Sequence, residues 1–137
     1  VVAKLEAWFD VEDDEPNTVT TAAELDAVLD TVSGWPGRNT VQLILAGHPE
    51  RGMLDVGLDA EHGRGVLYYA GPTAPDGCCT QGPHTADETP LYYYMGSDTE
   101  FPADAEVPLG VVRRAAHEYM TTGGERPSGV QWRPWPA

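Results

Sequence analysis

Positive charge is what this chain has least of. Eight Lys and Arg, with Lys4 the single lysine, stand against 22 Asp and Glu, for a formal charge of -14. So negative a surface repels phosphate backbones and anionic membranes, which argues against direct binding to nucleic acid or to a membrane. It favours a basic partner, although acidic surfaces also simply keep small domains in solution. Cysteine is almost missing as well, and Cys78 and Cys79 are adjacent. Neighbouring cysteines close only a strained ring, and neither CxxC nor a Cys/His ligand spacing is present, so two reduced thiols are expected. No apolar run approaches the length of a membrane span. The stretch from Val1 to Phe9 is short and interrupted by Lys4 and Glu6, unlike a signal peptide. A cytoplasmic location is expected.

The chain is equally poor in catalytic patterns. His48, His62, His84 and His117 are isolated, with no HxH or HExxH spacing around them, so no metal is expected. Ser97 lacks the flanking glycines of a GxSxG elbow, and there is no GxGxxG or Walker loop to cradle a nucleotide. Asp98 and Glu100 are two apart, but no histidine or lysine beside them completes an acid-base pair. These absences predict a protein without catalytic activity, cofactor or metal.

What is present suffices for a core. With 137 residues, 41% of them apolar, four tryptophans, and 15 Gly and 12 Pro scattered as turn punctuation, residues 1–137 read as one domain. Residues 1–9 alternate as a strand and give way to an acidic linker over 10–16. Thr21 with Glu24 forms a capping box, and Leu25, Val28, Leu29 and Val32 follow at helical spacing, predicting a helix over 22–33. Strands near 40–46, 53–58 and 64–69 are separated by short turns, the pattern of an antiparallel meander. Residues 70–90 read as loop-rich, with a short strand near 78–81, and residues 91–95 as a further strand. Pro108 opens a second helix with Leu109, Val112, Ala115, Ala116, Tyr119 and Met120 as its apolar stripe, and a last strand is expected near 130–133. The order predicts an α+β fold: a single curved, mostly antiparallel sheet of about five or six strands, two helices packed on one face and the other face partly free.

Three consecutive tyrosines run into a Gly-Ser turn that presents Asp98, Glu100 and Phe101 before the second helix. Aromatic residues on strands serve either as sheet packing or, through their polar tips, as interface anchors. Tyr92, Tyr94, Asp98, Glu100, Phe101 and Trp132 are accordingly the candidate partner-binding residues, an acidic and aromatic surface suited to a basic protein.

Taken together, TVTTAAELDAVLD over 18–30, GVLYY over 65–69, YYYMGSDTEFP over 92–102, EVPL over 106–109 and GGERPSGVQW over 123–132 resemble immunity protein family one of bacterial polymorphic toxin systems. The resemblance covers residues 18–133 and is specific mainly over 91–132; the acidic run, the cysteine pair and the Trp135 tail depart from it. It implies an α+β fold, a cognate toxin as partner, commonly of the deaminase fold, and inhibition by binding. A monomer or weak homodimer is expected. The alternative is a small-molecule-binding or enzymatic accessory protein of a biosynthetic operon, with 70–90 as a lid; its mark would be a deep pocket holding a carboxyl group of strongly raised pKa.

Overall fold

A computed structural model describes residues 4–10, 12 and 14–135 of the chain. Strand β1 (Leu5–Trp8), β2 (Asn17–Val19), helix α1 (Ala22–Ser33), β3 (Asn39–Leu45), β4 (Met53–Asp59), β5 (Arg64–Gly71), β6 (Ala74–Thr80), β7 (Leu91–Tyr94), β8 (Ser97–Glu100), β9 (Val107–Pro108), α2 (Leu109–Thr122) and β10 (Trp132–Pro134) follow in order. The strands form one sheet in the order β10-β6-β5-β4-β3-β1-β2, with β7 and β8 branching from β3 and β9 from β5. All pairings are antiparallel except β3 with β7, which meet in parallel at Asn39 and Tyr93.

The expected five or six strands are thus corrected to ten, though the α+β class stands. The additional strands carry no hydrophobic signal. β2 and β9 are three and two residues long and are defined by their neighbours, and every residue of β8 is exposed, whereas β10 is the last strand expected near 130–133. The acidic run is the connection between β1 and β2, which pair with each other; Val1–Ala3, Val11 and Asp13 lie outside the described residues. Residues 70–90 are less loop-rich than expected, because β6 occupies 74–80.

Alternation assigns the two faces of the sheet. Leu5, Ala7, Val41, Leu43, Leu54, Val56, Leu67 and Tyr69 point to one face and join the buried residues of both helices. Each full burial of such a side chain stabilises by about 1.5–3 kcal/mol relative to exposure. Helix α1 starts as its sequence dictates, with the Thr21 hydroxyl accepting from the Glu24 amide at 3.1 Å. The Glu24 carboxylate reaches one residue further back than a capping box requires and accepts from the amide and hydroxyl of Thr20. Pro108 sits at the cap of α2, just before its first turn. Asp26 of α1 ties the helices together by accepting from His117 at 2.8 Å and pairing with Arg113 at 3.3 Å.

The opposite face is covered in part by a second, smaller core of Val66, Cys79, Tyr92, Phe101 and Ala105. Tyr92 enters it because Gly57 leaves room: a Cβ at Gly57 would lie 2.6 Å from Val66 and 2.7 Å from the Tyr92 ring. The Tyr92 hydroxyl then donates to Glu106 at 2.7 Å. Arg38 lies 3.3 Å from Asp59 and 3.6 Å from Glu106, and its guanidinium stands over the Tyr92 ring at 5.9 Å. Buried carboxylates are tolerated only with such partners.

Gly57→Ala is expected to destabilise the fold by about 1–3 kcal/mol through overpacking against Tyr92. Urea denaturation followed by tryptophan fluorescence checks this; an unchanged midpoint would mean that Tyr92 does not depend on the space at Gly57.

Candidate functional site: the hairpin on the second face

Strands β7 and β8 form a two-residue hairpin. Tyr94 faces Ser97, and the turn residues Met95 and Gly96 have φ of 49° and 91°, the double positive φ of a turn whose twist suits a hairpin. The turn is therefore Met95-Gly96, one residue before the expected Gly-Ser, and Asp98 and Glu100 lie on a strand. The hairpin is tied to the sheet by the Tyr93 amide, which donates to the Arg38 carbonyl at 3.0 Å, and by the side chains beneath it.

Register divides the candidate residues. Leu91 faces Glu100 and Tyr93 faces Asp98, while Tyr92 faces Thr99, so the two sets point to opposite sides. Tyr92 is fully buried and Phe101 is 4% exposed. Their rings meet edge to face at 5.6 Å, and Phe101 packs in the same way on Trp135 at 5.1 Å. Tyr92 offers no surface to a partner, and Phe101 shows only its margin, to the cleft beneath the hairpin. Tyr94 is half-buried and donates to Gln42 at 3.3 Å. Trp132 lies on the helix-bearing face, where its indole donates to the Pro127 carbonyl at 2.7 Å and its ring tilts against Tyr69. The structure does not bring it together with the hairpin.

The outer face instead presents Leu91, 49% exposed, and Tyr93, 37% exposed, the exposed large hydrophobic residues among those described. Exposed Glu100 and Asp98 stand directly across from them. Reading the sequence for aromatic content missed Leu91 and Tyr93. Pairing residues outward from the two-residue Met95-Gly96 turn finds them, since it sets Tyr93 opposite Asp98 and Leu91 opposite Glu100.

Beneath the hairpin lies a cleft of about 210 Å³ lined by Thr40, Asp55, Tyr68, Tyr94, Thr99, Phe101 and Trp135. Gln42, Asp55 and Tyr68 are cross-strand neighbours on β3, β4 and β5. The Asp55 carboxyl accepts from Gln42 Nε2 at 3.1 Å. Burial pushes its pKa up to about 6, against the lowering effect of that bond. A second cleft, of about 330 Å³, is walled by His62, Arg64, His84 and Glu106. The nearby Asp59 is paired with His62 at 2.9 Å and Glu106 with Arg64 at 3.7 Å. Among the described residues, no three His, Cys, Asp or Glu are grouped as metal ligands. No helix among them is long and apolar enough to cross a membrane.

The family model for Immunity protein Imm1 matches residues 13–134. The chain belongs to the Imm1 immunity protein family. A search of curated proteins gave no match. The Imm1 match spans both helices and the sheet from β2 to β10, so the hairpin and all of the cleft's lining except Trp135 lie within it. Membership carries a role in toxin immunity.

Because the Asp55 pKa is raised in the folded state, its contribution to stability is fully present below the ordinary carboxylate pKa and is lost as pH rises through about 6. Asp55→Asn keeps a partner for Gln42 without the charge. It is expected to be more stable than wild type at pH 8, by up to about 3 kcal/mol, and to differ little at pH 4. Denaturation at both values checks this, and an equal difference at the two pH values would contradict it.

Proposed function

We propose that this Imm1 protein binds and inhibits a cognate bacterial toxin, a nucleic-acid-modifying enzyme of the deaminase type, with the outer face of the β7–β8 hairpin at the centre of the contact. The observation that carries the reading is the pairing of exposed Leu91 and Tyr93 with Glu100 and Asp98 on one face of a hairpin. Protein interfaces combine apolar and aromatic anchors with a polar rim in this way. A toxin that handles nucleic acid needs a basic groove for phosphates, and a protein of formal charge -14 competes for that groove. In this reading inhibition is occupancy: the protein carries out no reaction, acts as a monomer or weak homodimer and works in the cytoplasm, where the toxin's substrate lies.

Each hairpin residue then has a distinct task. Asp98 and Glu100 steer association, Leu91 and Tyr93 set the lifetime of the complex, and Tyr92 and Phe101 hold the strand from beneath. Tyr94 joins the contact at the hairpin's margin. Trp132, on the helix-bearing face, supports the fold.

A small-molecule accessory role is favoured by one observation, the raised pKa of Asp55 in a cleft. The cleft, at about 210 Å³, is smaller than the roughly 300 Å³ at which sites for drug-sized ligands begin. That favours the toxin reading.

Co-expression of this protein with its cognate deaminase-type toxin domain is expected to restore the growth of cells that the toxin arrests. Asp98→Ala with Glu100→Ala should slow association by about tenfold at low salt, with little change in dissociation. Tyr93→Ala should speed dissociation by about 30-fold, near 2 kcal/mol, with an unchanged melting temperature. Full protection and wild-type kinetics in all three substitutions would remove the hairpin from the interface.

A further inference from the structure

We infer that the cleft beneath the hairpin is a socket for one arginine side chain of the bound partner, with Asp55 as counter-ion and the rings of Tyr68, Phe101 and Trp135 as walls. This deepens the toxin-binding reading and rests on it for the source of the arginine.

The first argument is an uncompensated charge. Gln42 serves Asp55 Oδ1. Oδ2 has no partner among the described residues, and it is not among the atoms sealed from the surface, so it can receive a donor entering the cleft. The arginines elsewhere on this face are engaged: Arg38 with Asp59 and Glu106, Arg64 with Glu106, and Arg133 with Asp104 at 2.8 Å. A carboxylate crowded by protein without a cation is costly unless a cation arrives.

The second argument is the shape and nature of the walls. Tyr68 meets Trp135 edge to face at 5.1 Å, and Trp135 meets Phe101 at the same distance. Aromatic faces attract cations, tryptophan most strongly. A guanidinium is planar, stacks on rings, donates in a fork that matches a carboxylate and leaves water more readily than an ammonium. The volume of about 210 Å³ admits one side chain.

Access supplies the third argument. Thr99 on β8 borders the cleft, and β8 is the free edge of the hairpin, paired only with β7. A partner lying along β8 therefore meets Asp98 and Glu100 on the outer side and the cleft mouth on the inner side.

The charge of the socket follows pH. The titratable groups facing Asp55 are Tyr68 on β5 and Tyr94 on β7, whose phenols burial holds protonated; Gln42 on β3 and Thr99 on β8 are neutral. Asp55 thus controls the cleft between pH 4 and 8, and the socket loses its charge below about 6.

The test uses the isolated full chain and Nα-acetyl-arginine methylamide as probe, with the neutral citrulline analogue as control. The Asp55 carboxyl carbon is titrated by NMR, and the Trp135 indole resonance is followed in parallel. The arginine probe at 50 mM is expected to lower the Asp55 midpoint by at least half a pH unit and to shift the indole signal at pH 7.5. The indole shift should vanish at pH 4.5 and in Asp55→Asn. The citrulline analogue should do neither. An unmoved midpoint, or equal effects of arginine and citrulline, would overturn the socket. No toxin is present, so such a failure leaves the hairpin reading intact, whereas a failure of growth rescue would remove the toxin as the source of the arginine and leave the cleft's affinity for a guanidinium standing.

Discussion

The hydrogen bond from the Tyr92 hydroxyl to Glu106 is the interaction on which the second face depends. It sits where burial costs most, on a carboxylate 5% exposed, and it joins the hairpin to the segment leading into α2. Arg38 links the same carboxylate to Asp59, and its carbonyl holds the Tyr93 amide. Removing one partner from such a cluster leaves a charge stranded in low dielectric, so its members stand or fall together. The hairpin has a single bridge to the sheet by backbone pairing. Its orientation is therefore set by this cluster and by the rings of Tyr92 and Phe101.

That arrangement explains why exposed apolar and acidic residues stand together on one side of the molecule. Two helices close the first face with an aliphatic core that leaves little to display. The second face is covered only in part, by the narrow hairpin and the smaller core beneath it, which leaves acidic and aromatic groups at the margins. The display of Tyr93 outward is inseparable from the burial of Tyr92 inward, because consecutive residues of a strand point to opposite sides.

The sequence disclosed those parts of the fold that rest on local rules. Helix α1 was legible because a cap and an apolar stripe coincide, and the meander of β3, β4 and β5 because apolar runs alternate with Gly-rich turns. The short strands β2 and β9 were not, since a strand of two or three residues exists only through its neighbours, whereas β10 falls on the last strand expected near 130–133. Ser97–Glu100 has no alternation because all four residues are polar and exposed, so a strand read as a displayed turn. On the hairpin, Asp98 and Glu100 are the candidates that the sequence marks by charge and that the structure leaves exposed. Tyr92 and Phe101 were chosen because a large aromatic residue looks the same in sequence whether it anchors a partner or a core. Asp55 drew no attention at all: its significance comes from three strands and a hairpin converging on it.

Cys78 and Cys79 acquire a use from where the chain puts them. Both are buried and free, and as strand neighbours they lie in different layers, Cys78 in the helix-side core and Cys79 in the core under the hairpin. Burial pushes both thiols up, Cys79 to about 11, so neither reacts while its layer is closed. The molecule thus carries a native reporter in each layer, and the order in which a thiol reagent labels the two reads out which half of the protein breathes first.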